Sequence, residues 1–375
     1  MKKLIVGITA EGSVILIDGQ LKYFRERGYE TYLLGPSGER VSEFCRKEGC
    51  THLSVNINRD ITPVRDFLVL LRIIFLFCKY RPSVINLGTP KVSLLGMIAG
   101  KILRIKKRIY TCRGFRFEHE KGIKKRILIL MERITSKCAH KIICISPSLR
   151  DFGVNHKIFE PGKTIVINKG SSNGINLGKF SPGSVSKELK NKLKNELGIE
   201  NKFVFGFVGR IYDRKGINEL YEAFTRLSDI FSEIVLLIVG RVEETQIVDN
   251  NIIDLLKSHK NIRMTGPQKN VPLYLSLMDV FVLPSWGEGF GNVMIEAAAM
   301  GVPVIGTDTT GIRDSMLHNF NGIMVAPNSA DLLENAMLQL YKNVEMRKKF
   351  AKNGLNWAAN FGNHVIWRGI EEIYN

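Results

Sequence analysis

The sequence predicts an α/β protein of two domains, each a parallel sheet covered by helices. Three observations carry this. The chain has 375 residues, enough for two domains at roughly 150 residues each. It is 45% hydrophobic and 24% charged, which excludes disorder, collagen-like repeats and a coiled-coil rod. Short β-rich runs alternate with helical patterns along both halves, the order expected when helices cover parallel strands.

In the first half, LIVGIT, TYLLG, SVINLG, RIYTC and KIICIS read as strands, with helices over 18–28, 40–48, 64–80, 93–103 and 123–137. The opening MKKLIVG has two lysines and a short apolar run leading into Gly12 and a helix-like segment, which suits a first strand better than a signal peptide. In the second half, FVFGFVG, IVLLIVG, NIRMTG, VFVLPS, PVIGT and GIMVA read as strands, with helices near 216–228, 271–278, 292–300 and 331–340. Two such sheets imply two Rossmann-like domains. The turn-rich stretch Gly170–Gly183 breaks both periodicities. The expected division is therefore 1–170, 171–360, and a last helix over 361–375 that crosses back to the first domain. The lysine-rich segment 187–198 reads as a solvated helix opening the second domain.

No apolar stretch approaches the ~20 residues that span a bilayer. The nearest, Asp66 to Tyr80, is broken by Arg72 and stopped by Pro82. It reads either as a helix packed on a sheet or as one lying in a membrane surface, because apolar residues occupy nearly its whole circumference. Residues 1–170 hold 32 Lys and Arg against 14 Asp and Glu, so the entire net charge of +18 belongs to the first half. That domain is built to face something anionic: a membrane, a nucleic acid or a phosphorylated substrate. All six cysteines also lie there, none spaced as Cys-x-x-Cys, which fits reduced thiols in a cytosolic protein.

Ligands of open α/β sheets bind beyond the carboxyl ends of strands. After the strand FVFGFVG, Arg210 and Lys215 flank a turn before a helix, two cations suited to a diphosphate. After VFVLPS, Gly287, Gly289 and Gly291 free a turn that enters a helix, whose amino end favours phosphate oxygens. Glu288 lies in the turn and Glu296 about one helical turn inside. Carboxylates beside a phosphate site fit acceptors for sugar or ribose hydroxyls.

These segments, GFVGRIYDRKG and PSWGEGFGNVMIEAAAMGVPVI, resemble the diagnostic elements of the family-4 retaining glycosyltransferases of GT-B fold, with two facing Rossmann-like domains and a cleft between them. The likeness runs on through TTGIRDSM and NGIMVAP, and is looser in the first domain, over GQLKYFRERGYE, KVSLLGMIAGKI and SSNGINLGKF. Those pieces look most like bacterial enzymes of capsule, O-antigen and other lipid-linked glycans. The resemblance implies that Arg210 and Lys215 hold the diphosphate of a sugar nucleotide and that Glu296 binds the ribose. It assigns Glu288, the turn at Gly289 and the amides of Phe290, Gly291 and Asn292 to the donor sugar and phosphates.

No two aspartates stand as Asp-x-Asp, so the cations and the helix start are expected to stabilise the leaving diphosphate without a metal or other cofactor. Related enzymes often carry a His near the donor sugar, where this chain reads YTCRGFRFE, with Arg113 and Arg116 in its place and His119 beyond. Arg113 then either reaches a donor or acceptor phosphate or belongs to a solvated basic loop. The first strand loop, with Gly12 alone, also departs from the glycine pair of many relatives.

The expected activity is transfer of a sugar, from a UDP-sugar by preference, to a polyprenyl-diphosphate-linked saccharide. The place is the cytoplasmic face of a membrane met through Arg104–Arg108 and Lys121–Arg126. A sugar-nucleotide epimerase of the same fold is one competitor, lacking the acid/base groups it would need. A nucleic-acid binder is another, lacking aromatic residues interleaved with the basic clusters.

Overall fold

The computed structural model describes residues 2–58, 60–243 and 251–375, less the side chain of His119. The chain forms two compact units, Met1–Gly174 with His364–Asn375, and Ile175–Asn363.

Unit 1 contains strands β1 (Lys2–Gly7), β2 (Tyr29–Gly35), β3 (Thr51–Ser54), β4 (Val84–Leu87), β5 (Lys107–Cys112), β6 (Lys141–Cys144) and β7 (Thr164–Ile165). All are parallel, in the order β3-β2-β1-β4-β5-β6-β7. Its helices are α1 (Gln20–Arg25), α2 (Glu39–Glu48), α3 (Pro63–Tyr80), α4 (Pro90–Ile102), α5 (Gly122–Cys138) and α6 (Pro147–Asn155). The strand order reverses direction between β1 and β4, so the loops following those two strands part there and open a crevice. At that point the hydroxyls of Thr9 and Thr89 lie 2.7 Å apart, and Thr9 accepts from the amide of Val92 at 3.2 Å.

Unit 2 contains β8 (Phe203–Val208), β9 (Ile234–Val239), β10 (Ile262–Met264), β11 (Val280–Leu283), β12 (Val304–Thr307) and β13 (Gly322–Val325), parallel in the order β10-β9-β8-β11-β12-β13. Its helices are α7 (Lys187–Leu197), α8 (Ile217–Ile230), α9 (Asn251–Ser258), α10 (Val271–Leu275), α11 (Asn292–Ala299), α12 (Ile312–Ser315), α13 (Ala330–Lys342) and α14 (Val344–Ala358). Here the reversal falls between β8 and β11, the two strands whose following loops carry the cations and the glycine turn.

The last helix, α15 (Asn363–Tyr374), returns to unit 1. Ile366, Trp367, Ile370 and Tyr374 are buried with Leu4, Val6, Phe24 and Leu33 in one core. The Tyr374 hydroxyl accepts from Asn86 at 2.7 Å.

The helix-like segment after Gly12 is a 3-10 stretch, Glu11–Ile17, and α1 is six residues long. In α3 only Ile73, Leu76 and Phe77 are buried. Val64, Phe67, Leu68, Leu71 and Phe75 form an exposed apolar stripe at helical spacing. Its first turn is tied down by buried Lys91, which pairs with Asp66 at 2.6 Å and donates to the carbonyl of Asp60. No helix among the described residues is long and apolar enough to cross a membrane.

The basic run Arg104–Arg108 does not present one surface cluster. Arg108 donates to the carbonyls of Cys138 (2.7 Å) and Ile105 (2.6 Å), and Lys107 to that of Tyr374 (2.7 Å), because β5 begins at Lys107 and turns these side chains onto neighbouring element ends. Arg104 and Lys106 remain exposed.

Candidate active site

The loops after β8 and β11 meet backbone to backbone. Gly216, at φ +70°, caps the start of α8, and a Cβ there would run into the carbonyl of Pro284. The amide of Trp286 donates to the Arg214 carbonyl at 2.9 Å, and the Ser285 hydroxyl to the same oxygen at 3.0 Å. This closeness requires glycine at 216 and brings Lys215 to Glu288. The two form an ion pair, the side chains only 13% and 19% exposed. Arg210 points elsewhere. Its half-exposed guanidinium stacks 5.2 Å from the Tyr212 ring and donates to Glu243 at 3.1 Å, where Arg241 also binds at 3.0 Å. Hydrogen bonding to Arg210 and Arg241 holds the Glu243 carboxyl below its ordinary range.

The glycine turn is braced from the loop after β12. Glu288 donates its amide to the Thr310 carbonyl at 3.0 Å, and a Cβ on Gly311 (φ +79°) would strike the carbonyl of Glu288. The buried hydroxyls of Thr307 and Thr309 both donate to the carbonyl of Ser285, the latter at 3.4 Å. Gly291, at φ +78°, is the N-cap of α11. Between these fixed points Gly289 and Phe290 form the turn. The Phe290 ring is buried, 5.3 Å from Phe361, so its side chain anchors the turn and only its backbone is left to meet a ligand.

Asn292 opens α11, and Glu296 stands one turn inside. Burial raises the Glu296 carboxyl to about 7, with the charge of Lys179 acting against it. The side chain still keeps partial access to solvent. Among the described residues it has no hydrogen-bond or ion-pair partner. A carboxyl in that condition lacks the donors that would favour its ionised form.

In unit 1, Arg113 follows β5 and is held, not solvated. Its Nε donates to Ser172 Oγ at 2.6 Å, and its guanidinium fills the space a Cβ on Gly88 would need. Burial pushes it down to about 10, with Tyr110 and Tyr374 opposing, so it stays charged at neutral pH. Thr111 and Tyr374 both bond the side chain of Asn86 at 2.7 Å, stiffening the strand ends beside it.

The structure thus joins Lys215 to Glu288 across two touching loops, leads through Gly289 and Gly291 into α11, which carries Asn292 and Glu296, and turns Arg210 toward Glu243. Sequence reading missed Glu243, Lys179, Ser285 and the paired threonines. The T-x-T after strand PVIGT was the one available signal, two hydroxyls on the same face of an extended chain.

Two doubly wound parallel units, one with a braced glycine turn and a cation at its switch point, define a glycosyltransferase of the GT-B fold. The chain belongs to the family-4 glycosyltransferases: residues 190–357 match Glycosyl transferases group 1 and residues 11–176 match Glycosyltransferase Family 4. It is 33% identical to the capsular polysaccharide biosynthesis glycosyltransferase CapM of Staphylococcus aureus, over 100% of this chain and 97% of that one. It is 28% identical to the UDP-Gal:alpha-D-GlcNAc-diphosphoundecaprenol alpha-1,3-galactosyltransferase of Escherichia coli, over 84% of this chain and 81% of the relative. Anabaena HepE, solved in complex with UDP, superposes with a TM-score of 0.82 at 19% identity, covering 99% of both chains.

Proposed function

We propose that this glycosyltransferase moves a sugar from a UDP-sugar to a saccharide carried on a polyprenyl diphosphate, with retention at the anomeric carbon and without a metal, in synthesis of a bacterial surface polysaccharide. The observation that carries the reading is the ion pair of Lys215 and Glu288 across two touching loops at one switch point, with Glu296 one turn into the helix that follows. Lys215 and the two glutamates came from separate stretches of sequence, and each side chain suits one part of a sugar nucleotide. The names of the S. aureus and E. coli relatives support the substrate classes.

In the reaction, the bond from the anomeric carbon to the diphosphate breaks, a bond to an acceptor hydroxyl oxygen forms on the same face, and the hydroxyl proton passes to the departing diphosphate. Charge accumulates on the departing diphosphate. Lys215, Arg210 released from Glu243, and the amino end of α11 stabilise it. Glu288 accepts from hydroxyls of the donor sugar, and leaving Lys215 for that task frees the ammonium for phosphate. Glu296 accepts from the ribose hydroxyls. Arg113 is assigned to a phosphate of donor or acceptor.

Unit 1 is proposed to rest on the acidic inner face of the cell membrane. The exposed stripe of α3 supports this, as do Ile123, Ile127 and Leu130 of α5, exposed beside Lys121, Lys125 and Arg126. Apolar insertion and basic charge act together there. Calorimetric titration with UDP-, GDP- and dTDP-sugars tests the donor assignment: tight binding confined to a GDP- or dTDP-sugar would overturn it.

A further inference from the structure

At the amino edge of the unit 1 sheet, opposite the strand ends that carry Thr9 and Arg113, lies a cavity of about 760 Å³. It opens where β1, β4 and β5 begin. Five of its fourteen lining residues are Lys or Arg, and none is Asp or Glu. Lys2 and Lys107 are engaged, with Asn375 Oδ1 at 3.0 Å and the Tyr374 carbonyl at 2.7 Å. Among the described residues, the side chains of Arg81, Arg104 and Lys106 are exposed and have no partner. Arg81 and Arg104 stop α3 and α4 in the left-handed conformation, at φ 49° and 54°. Glycine makes that stop without strain, and here both stops place a guanidinium on the cavity rim instead. The wall between the cations is apolar, from Phe77, Leu103 and Ile105.

We infer that this cavity binds the phosphate end of an anionic amphiphile, a membrane phospholipid. A bare phosphate would satisfy the rim and leave the apolar wall wet. An uncharged lipid would leave three cations unmatched. The volume is that of a small-molecule site, far more than one phosphate fills. The lipid source rests on the docking reading above: the cavity lies at the carboxyl end of α3, whose exposed stripe faces outward along the helix.

Cys78 lines the cavity and is the exposed cysteine among those described, so its alkylation reports occupancy. The full chain is treated with a maleimide in the presence of dihexanoyl phosphatidic acid below its micellar concentration, with a Cys78→Ser variant giving the background. The acid should protect Cys78, while glycerol 3-phosphate and dihexanoylglycerol should not. In an R81Q/R104Q/K106Q variant the protecting concentration should rise about tenfold or more, as expected for losing three exposed charge contacts. No protection, equal protection by glycerol 3-phosphate or by dihexanoylglycerol, or an unchanged concentration in the variant would overturn the inference. Vesicle binding unchanged on altering the α3 stripe and the α5 cations, with soluble-lipid protection intact, would instead sink the docking reading alone.

Discussion

Glu296→Gln should steady the unliganded protein and weaken nucleotide binding, and both effects should follow pH. In the fold the carboxyl sits at about 7 against an ordinary 4.5. A raised acid holds its proton more tightly folded than unfolded. Its stabilising share is therefore full below pH 4.5, declines between about 4.5 and 7, and is gone above that. The displacement converts to a ceiling of about 3 kcal/mol for the ionised carboxylate at pH 8, and partial solvent access lowers this to about 1–3 kcal/mol. Glutamine keeps the shape and cannot ionise. The variant should melt higher at pH 8, by about 2–4 °C per kcal/mol, and match the parent at pH 4.5. Ribose hydroxyls donating to Glu296 would select the ionised form, so UDP binding at pH 6 must expel close to one proton from it. Titration in buffers of different ionisation heat counts the protons. Those of the diphosphate are common to both proteins, so the difference between parent and variant isolates Glu296. The variant should also lose about 1–3 kcal/mol of UDP affinity. Identical proton counts together with identical UDP affinity would refute the ribose role.

Glu288→Gln should lower kcat by tenfold or more, about 1.4 kcal/mol or above, while UDP binds as well or better, because Lys215 loses its anion; a parallel loss of UDP affinity would place Glu288 on the nucleotide instead. Activity should survive excess EDTA, and loss restored by manganese or magnesium would show that the cations do not suffice. Phe67→Ser with Leu71→Ser should reduce vesicle binding at all salt concentrations, each exposed side chain forfeiting about 1.5–3 kcal/mol of apolar burial at most. Lys124, Lys125 and Arg126 changed to Gln should abolish only the salt-sensitive part, read by cosedimentation with vesicles of varied anionic content. Equal binding to neutral and acidic vesicles would defeat the electrostatic half of the argument.

The alternation of elements and both candidate loops were legible because they depend on local chemistry. A buried parallel strand must be apolar throughout, as IVLLIV is at β9, and a tight turn into a helix must use glycine, as at Gly291. What escaped reading lacks a local signature. THLS at β3 alternates weakly and β7 is two residues long; both exist because a neighbouring strand offers a ladder. Arg210 was readable as a cation at the lip, yet its pairing with Glu243 joins positions 33 apart. The same holds for Arg113, where alternatives stood open until Gly88 and Ser172, from distant segments, were seen to seat the guanidinium.

The return of α15 has a consequence for biosynthesis. The core around Leu4 and Phe24 includes Ile366, Trp367, Ile370 and Tyr374, so it is complete only once a segment far later in the chain has been made. At ribosomal speeds of about 5–20 residues per second, the stretch between Phe24 and Trp367 occupies about 17–70 s. During that interval unit 2 is itself being made, and the nascent unit 1 exposes the apolar bed of α15 to whatever chaperone is present.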